Sequence, residues 1–342
     1  GGGAGGCPAG SHAAGGGCAA TLTKWTAGPL LPSARDHHVT FVATTPSGSF
    51  LYVAGGTNGF SIFDDVMRAP VQAGGALGGF ETTPHALPEG AAGQGLAQLG
   101  NAVVLAGGLV VNGSAAVSSK DAFVGLVADD GSVAFTKGPS LAADRYHVSL
   151  SEDRGYVYAI GGLRQAFVSG QYQQSVSDAV ERAPFDGKKL GAWEALAPLP
   201  HALTHQAAVV RDHAIYLVGG LSTGLDALPD ILRADVHADG GLGDFKPAGK
   251  LPEGRGTSSA FVFLDQLYVL CGATLAQGGE VATVLRAPFL ADGSVGTFEE
   301  LPPVPKPRAH VHQTPLLDGI VYSAGGSAAG AFESDVFLGH FE

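Results

Sequence analysis

Positive charge is scarce in this sequence. Of the 342 residues, 19 are Lys or Arg and 31 are Asp or Glu, and the formal net charge is −12. Proteins that bind nucleic acid usually present a basic face, so we expect no nucleic-acid partner. Long apolar runs are missing as well. None approaches the roughly 18–20 residues that a membrane-spanning helix needs, and we predict no transmembrane segment.

Cysteine is rare, with three residues whose spacing matches no zinc-binding pattern. Cys7 and Cys18 lie in a Gly- and Ala-rich opening segment, and we predict a disulfide between them. A disulfide implies an oxidising compartment. We therefore expect an extracytoplasmic protein that is secreted, periplasmic or held at the cell surface. Cys271 lies within an apolar run and is predicted to be a buried free thiol.

Helical periodicity and familiar catalytic motifs are also missing. No window sustains an apolar period of 3.6 residues, which argues against alternating strands and helices. The sequence contains no Gly-x-Ser-x-Gly, no phosphate-binding loop, no His-Glu-x-x-His and no Cys-x-x-Cys. We therefore assign no catalytic residue, no metal site and no cofactor on the basis of motifs.

Glycine is abundant, at 53 residues, and much of it marks a repeat. An apolar run ending in a Gly pair, such as the run from Leu51 to Gly56, occurs six times, although the fifth copy ends in Cys271-Gly272. The copies begin at residues 51, 103, 157, 215, 267 and 321, so the period is about 54 residues. Each run predicts a fully buried strand, whose glycines permit positive φ or a close backbone approach.

Three further sequence features recur with the same period. An aromatic residue marks the predicted fourth strand of five copies, at Phe80, Phe135, Trp193, Phe245 and Phe298. Arg-Ala-Pro or Arg-Ala-Asp closes the third strand of four copies, and Asp-Gly, a hairpin turn, usually follows. Each repeat therefore predicts four antiparallel strands. The last copy lacks its aromatic residue, and Trp25 near the N terminus supplies it.

The Tyr-x-x-Gly-Gly element and the single aromatic per repeat resemble the kelch repeat over residues 21–342. The resemblance implies an all-β fold, a six-bladed β-propeller of four-stranded antiparallel blades that is closed by the N-terminal strand. Residues 21–342 are then the propeller. Residues 1–20 are predicted to be a Gly/Ala-rich flexible tail, which could serve as a tether.

In such a blade, the segment leading into the first strand and the loop after the Gly pair share one face. We expect the ligand site on that face, around the central channel. The lead-in segments repeat His and Arg, and the ligand-binding candidates are Arg35, His37, Arg145, His147, His205, Arg255, Arg308 and His310. The histidines could bind a metal ion or an anion, but we expect the ring of blades to hold them too far apart for one metal ion. The alternative, known from many kelch repeats, is that these residues bond the loops of adjacent blades.

The longest loop after a Gly pair runs from Leu163 to Ser177 and combines amide with aromatic side chains. Phe167 and Tyr172 are candidates for ligand binding, because aromatic rings stack on apolar faces while amides bond hydroxyl groups. This composition suits a carbohydrate or peptide ligand. A plain polar loop is the alternative.

The sequence leaves two functions open. The first is an extracytoplasmic binding or scaffold propeller that recognises a glycan, peptide or protein partner on its channel-mouth face. The second follows from a resemblance to bacterial sialate mutarotases, which are also six-bladed kelch-type propellers. It implies a sugar mutarotase or epimerase acting on an acidic sugar, in which the arginines hold a carboxylate and the histidines serve as acid or base. We favour binding.

Overall fold

The computed structural model describes residues 7–14, 17–274 and 279–342, and contains six four-stranded antiparallel sheets arranged as a propeller. The predicted fold class is confirmed. Among the described residues the one helical element is a short 3-10 turn, Ala73–Gly75. No helix in the described ranges has the length and apolar character needed to cross a membrane.

The blades are numbered along the chain by their first strand. Blade 1 comprises Val39–Thr45, Gly48–Ala54, Val66–Val71 and Glu81–Thr82; blade 2 comprises Gly95–Leu99, Ala102–Ala106, Ala122–Val127 and Val133–Lys137; blade 3 comprises Ser149–Asp153, Tyr156–Ile160, Val180–Pro184 and Glu194–Ala195. Blade 4 comprises Ala207–Arg211, Ala214–Val218, Asp230–Asp235 and Lys246–Lys250; blade 5 comprises Ser259–Phe263, Gln266–Leu270, Val284–Pro288 and Glu299–Leu301; blade 6 comprises Leu316–Leu317, Ile320–Ala324, Val336–Phe341 and Leu22–Ala27.

Short hairpins extend from several of the loops that follow the second strands. They pair Leu109–Asn112 with Ala115–Ser118, Leu163–Val168 with Gln171–Val176, Ala273–Thr274 with Gly279–Glu280, and Ser327–Ala328 with Ala331–Phe332. The region from Leu163 to Ser177, predicted as a loop, is thus mostly a regular hairpin. Its polar residues lie on both of the paired strands.

The second strand of each blade is the predicted buried run, and the first position of the pair that follows lies against the lead-in segment of the next blade. Gly55 has φ 63°, and a Cβ built on it would lie 2.5 Å from the Ala91 carbonyl oxygen. Only glycine avoids both the left-handed strain and this clash. In blade 5 the first position of the pair is Cys271, which also has positive φ (57°). It is a buried free thiol, as predicted.

The repeated Tyr and Arg residues hold neighbouring blades together at the outer seam. The Tyr52 hydroxyl donates a hydrogen bond to the Gly131 carbonyl of blade 2 (2.8 Å), and Arg68 Nη1 donates to the adjacent Asp130 carbonyl (2.8 Å). Tyr158, Tyr216 and Tyr322 make the same contact with Gly240, Gly293 and Gly75. The turn before the fourth strand of one blade therefore accepts a hydrogen bond from the Tyr of the preceding blade and, for Arg68 and Arg182, from the Arg as well.

The N-terminal strand closes the ring. Leu22–Ala27 pairs with Val336–Phe341, and Trp25 lies opposite Gly339. The Trp25 indole nitrogen donates to the Pro302 carbonyl of blade 5 (2.9 Å). The predicted closure is confirmed, because the missing outer strand of blade 6 comes from the other end of the chain.

The described part of the segment before this strand contains two short paired strands and a cross-link. His12–Ala14 pairs with Gly17–Ala19, and the predicted Cys7–Cys18 disulfide is present. Gly10 packs so closely on Gly319 that a Cβ on Gly10 would lie 2.4 Å from the Gly319 Cα. The cross-link and this contact hold the segment against blade 6. Residues 1–6 of the predicted tail lie outside the described residues.

Candidate functional site

The lead-in segments and the loops after the Gly pairs lie on one face, as predicted. In every blade the residue before the His position forms a β-bridge with the residue after the Gly pair, as Asp36 does with Thr57 and Tyr146 with Leu163. Six equivalent segments therefore converge around the channel axis at this face.

A ring of six equivalent residues surrounds the channel at this face. We call it the mouth ring, and its members all have positive φ: His37 (55°), Gly93 (68°), His147 (50°), His205 (58°), Thr257 (56°) and His310 (56°). Backbone hydrogen bonds of 2.7–3.3 Å join five of the six neighbouring pairs, beginning with the Gly93 amide and the His37 carbonyl. Between blades 3 and 4, the Ser149 hydroxyl donates to the Gln206 carbonyl (2.8 Å).

The ring brings the four predicted histidines together, and His312 joins them. The ring centroids of His37 and His310 are 4.1 Å apart, and those of His147 and His205 are 3.6 Å apart. The centroids of His37 and His147 are separated by 4.8 Å, and His312 lies 5.0 Å from His147. The histidines come from different blades yet lie close together, because the left-handed turns and the inter-blade bonds draw the segments inward.

Burial keeps the inner imidazoles neutral. It lowers the pKa of His205 to about 3, and it lowers the pKa of His147, His310 and His312 well below the usual value, with further contributions from neighbouring histidines. A neutral imidazole carries one N–H donor and one lone pair. The cluster therefore presents several lone pairs within a few ångströms.

Oxygen atoms contact one nitrogen of each of three imidazoles. The Nδ1 atom of His37 lies 2.6 Å from Asp36 Oδ1, that of His310 lies 3.1 Å from the Ser327 hydroxyl, and that of His205 lies 3.1 Å from the Thr204 hydroxyl. These contacts leave Nε2 of each ring to face other groups. Within this cluster, as far as the structure describes the chain, His147 Nδ1 and His312 Nε2 are buried with no hydrogen-bond partner.

A polar cavity of about 230 Å³ lies along the channel beside the histidines. His147, His205 and His312 line it together with the first strands of the blades. Gln206 also lines it, and its side-chain oxygen is buried with no partner among the described residues. The cavity is large enough for several water molecules, each of which occupies about 30 Å³ in the liquid.

The four predicted arginines are not available at the mouth. Their exposure is 0% for Arg35, 1% for Arg145, 2% for Arg255 and 0% for Arg308. Arg35 makes a two-point ion pair with Asp65, and Arg145 Nη2 lies 2.6 Å from Glu181. Arg308 pairs with Asp335 (3.2 Å), and Arg255 donates to the Cys271 carbonyl (3.0 Å). Three of these guanidinium groups face carboxylates and the fourth bonds a backbone carbonyl, all inside the protein, and we withdraw the arginines from the candidate site.

Phe167 and Tyr172 face each other across the blade 3 hairpin. They are a cross-strand pair with ring centroids 4.9 Å apart, and they are 42% and 52% exposed. The Tyr172 hydroxyl accepts a hydrogen bond from the Ala116 amide of the blade 2 hairpin (3.2 Å). At the hairpin base, Gln174 contacts the hydroxyl of Tyr146 (3.2 Å), whose ring lies 4.6 Å from that of His147. The aromatic pair is thus tied to the mouth ring.

Several groups in the site were not among the predicted site residues. Asp36, Ser327 and Gln206 lie beside the histidines, and His312 completes the cluster. The sequence offers a weak signal for two of them, since Asp36 precedes His37 and His312 lies two residues after His310. Ser327 follows the Gly pair of the same blade, and the bridge between Ala309 and Ser327 brings it to His310.

Comparisons with known proteins bear on the fold alone. No protein-family model matches the sequence, and no curated protein matches it. Among solved structures, the chain is similar to YjhT, with a TM-score of 0.68 and 13% sequence identity, over 90% of this chain and 95% of that one. The six-bladed propeller is a shared architecture. Identity this low carries no function from one chain to the other.

Proposed function

We propose that this chain is a binding propeller that recognises a glycan on its channel-mouth face, chiefly through Phe167 and Tyr172. The exposed aromatic pair carries this proposal. Aromatic rings with their faces partly open to solvent stack on the C–H faces of sugars, and amides bond the hydroxyl groups. Gln171 and Gln173 supply exposed amides on the same hairpin.

The two hairpins beside the site favour a pre-organised surface. The Ser118 hydroxyl of the blade 2 hairpin contacts both the amide and the carbonyl of Gln165, at 3.0 Å each. With the bond from Ala116 to Tyr172, these contacts restrain the aromatic pair before any ligand arrives. A restrained site loses less side-chain entropy on binding.

The charge distribution favours a neutral glycan over an acidic one. All four arginines of the lead-in segments are buried and bonded within the protein. The net charge of −12 adds a repulsive field for anions. We therefore expect neutral sugars to bind more tightly than their carboxylated counterparts.

A glycan array followed by calorimetry tests this proposal. We expect Phe167→Ala and Tyr172→Ala each to weaken binding by about 2- to 10-fold, the range that corresponds to 0.5–1.5 kcal/mol per aromatic contact. Phe60→Ala is the matched control, because Phe60 is an exposed aromatic residue on the blade 1 loop. The proposal fails if the double variant binds as the wild type does. Binding of a peptide and no glycan would favour the peptide alternative.

A sugar mutarotase acting on an acidic sugar is the second candidate. Asp36 beside His37 and the neutral imidazoles around the cavity could supply an acid and a base. The buried arginines leave it without the cation that was expected to hold the carboxylate. Exchange spectroscopy by NMR between the two anomers of sialic acid, with His37→Asn as comparison, tests it. Acceleration that depends on His37 would favour this candidate over pure binding.

We also propose an extracytoplasmic location, which the Cys7–Cys18 disulfide supports because such bonds persist in oxidising compartments. Tethering through the N-terminal segment stays a prediction. Alkylation of the protein in freshly lysed source cells, followed by mass spectrometry, should find both cysteines protected. Quantitative alkylation of Cys7 and Cys18 would contradict the proposed location.

A further inference from the structure

We propose that His37, His147 and His310 bind one divalent transition-metal ion of the imidazole-preferring class, such as Zn²⁺, Ni²⁺ or Cu²⁺. Each residue offers one nitrogen, and the three nitrogens all lie within 4.8 Å of one another. They come from blades 1, 3 and 6, so only the closed ring assembles them. This proposal is independent of glycan recognition.

The geometry needs a small adjustment. A zinc ion with Zn–N distances of 2.0–2.1 Å in tetrahedral geometry places its nitrogens about 3.3 Å apart. The histidine nitrogens would therefore close by at most about 1.5 Å, which side-chain rotation can provide. The side chains of His37 and His310 are 17% and 25% exposed, so they have room to rotate. The mouth-ring backbone need not move.

Neighbouring oxygens orient two of the three ligands as metal sites require. Histidine ligands usually bond through one nitrogen to a carboxylate or other oxygen and through the second to the metal. Asp36 is placed to accept the Nδ1 proton of His37 at 2.6 Å, and its other oxygen lies 3.8 Å from His310 Nδ1. Ser327 lies 3.1 Å from His310 Nδ1. Both rings can then direct Nε2 to a shared ion.

Unpartnered nitrogens in the cluster argue against a purely structural role. A buried polar atom without a partner costs free energy, yet His147 Nδ1 and His312 Nε2 have none among the described residues. Both residues line the channel cavity, as does His205. A metal ion would use lone pairs that the protein leaves unmatched. With three histidine ligands, a fourth position stays open to water or to a nearby histidine.

The test is metal binding by the chelator-treated, full-length protein. Calorimetry with Zn²⁺ and visible spectroscopy with Co²⁺ should show one ion per chain. We expect His37→Asn, His147→Asn and His310→Asn each to weaken binding at least about 100-fold, because each removes one of three ligands. Asparagine tolerates positive φ, so the mouth ring should persist. Asp36→Asn should weaken binding about 10- to 100-fold.

His213→Asn is the matched control. His213 also has positive φ (56°) and pairs with Asp153, but its ring is outside the cluster. It should bind metal as the wild type does. Wild-type protein that binds no ion, or whose binding survives all three substitutions, would overturn the proposal.

A second measurement keeps the proposal testable if a histidine variant fails to fold. Co²⁺ added to the wild type should broaden the imidazole NMR signals of His37, His147 and His310 and leave those of His213 sharp. Zn²⁺ should also raise the melting temperature of the wild type, since a ligand that binds the folded state stabilises it. Broadening at His213 with no effect at the mouth ring would contradict the assignment.

Discussion

Two positions in the same lead-in segment, only two residues apart, have opposite surroundings. The arginine position, represented by Arg145, lies inside the blade with its charge matched by Glu181. The mouth-ring position, represented by His147, lies at the channel among other histidines, with a nitrogen that has no partner among the described residues. Both positions recur around the propeller. The arginine position holds buried side chains that bond within their own blades, whereas the mouth-ring position brings side chains from different blades together at the channel.

Geometry explains the difference. Arginine occupies its position in four of the six blades, and these four side chains do not converge, so each guanidinium finds its partner within its own blade. The mouth-ring residues converge, so imidazole ring centroids from different blades lie 3.6–6.0 Å apart. A structural repeat therefore becomes a binding site only where its copies come together.

The largest expected effect comes from opening the ring on which both positions depend. Deletion of residues 1–28 removes Leu22–Ala27 and leaves Val336–Phe341 with an unpaired edge. We expect the cooperative thermal transition, followed by circular dichroism, to disappear. Cys7→Ser with Cys18→Ser is the control, because it breaks the disulfide but keeps the strand, and it should retain a cooperative transition. An unchanged melting temperature after the deletion would contradict this account of closure.

Removing a buried charge partner is expected to have the next largest effect. Arg145→Ala leaves the Glu181 carboxylate, whose side chain is 4% exposed, without its cation. We expect a loss of about 3–5 kcal/mol in the free energy of unfolding, measured by urea denaturation. Arg164→Ala removes an exposed pair with Asp144 and should cost only about 0–1 kcal/mol. Equal losses in the free energy of unfolding for the two variants would contradict the contrast between the buried and the exposed charge pair.

A substitution in the mouth ring at blade 5 should instead raise the free energy of unfolding. Thr257 is a β-branched residue with φ 56°, and its buried hydroxyl has no partner among the described residues. Thr257→Gly relieves the strain and should raise the free energy of unfolding by about 1 kcal/mol. Thr283 has a similar buried hydroxyl but no positive φ, so Thr283→Gly should bring no gain. If Thr283→Gly raised the free energy of unfolding and Thr257→Gly did not, backbone strain at Thr257 would not be the cause.

The smallest expected effect concerns the reactivity of Cys271, whose carbonyl accepts the hydrogen bond from Arg255. Burial raises the pKa of this thiol to about 12, so the reactive thiolate is scarce at pH 8. A disulfide-exchange reagent should find no thiol in the native protein. It should find one after denaturation without reductant, since Cys7 and Cys18 are bonded. Three thiols after denaturation would contradict the pairing.

Much of the fold followed from the sequence, for physical reasons that are local and periodic. Six apolar runs at a spacing of about 54 residues require six buried strands. The unmatched Trp25 required closure by the N-terminal strand, because every repeat needs its fourth strand. The disulfide could be predicted because two cysteines share one short segment. These signals lie within one repeat or compare one repeat with the next.

The tertiary structure alone decided what those repeats do at the axis. His37, Gly93 and Thr257 occupy equivalent positions although their side chains have nothing in common. These residues share a positive φ and a backbone hydrogen bond to the next blade, and neither feature can be recognised from the sequence. The sequence also could not show that three of the arginines turn inward to carboxylates on the third strand or just before it. Both outcomes depend on distances between segments that are far apart along the chain and meet only when the ring closes.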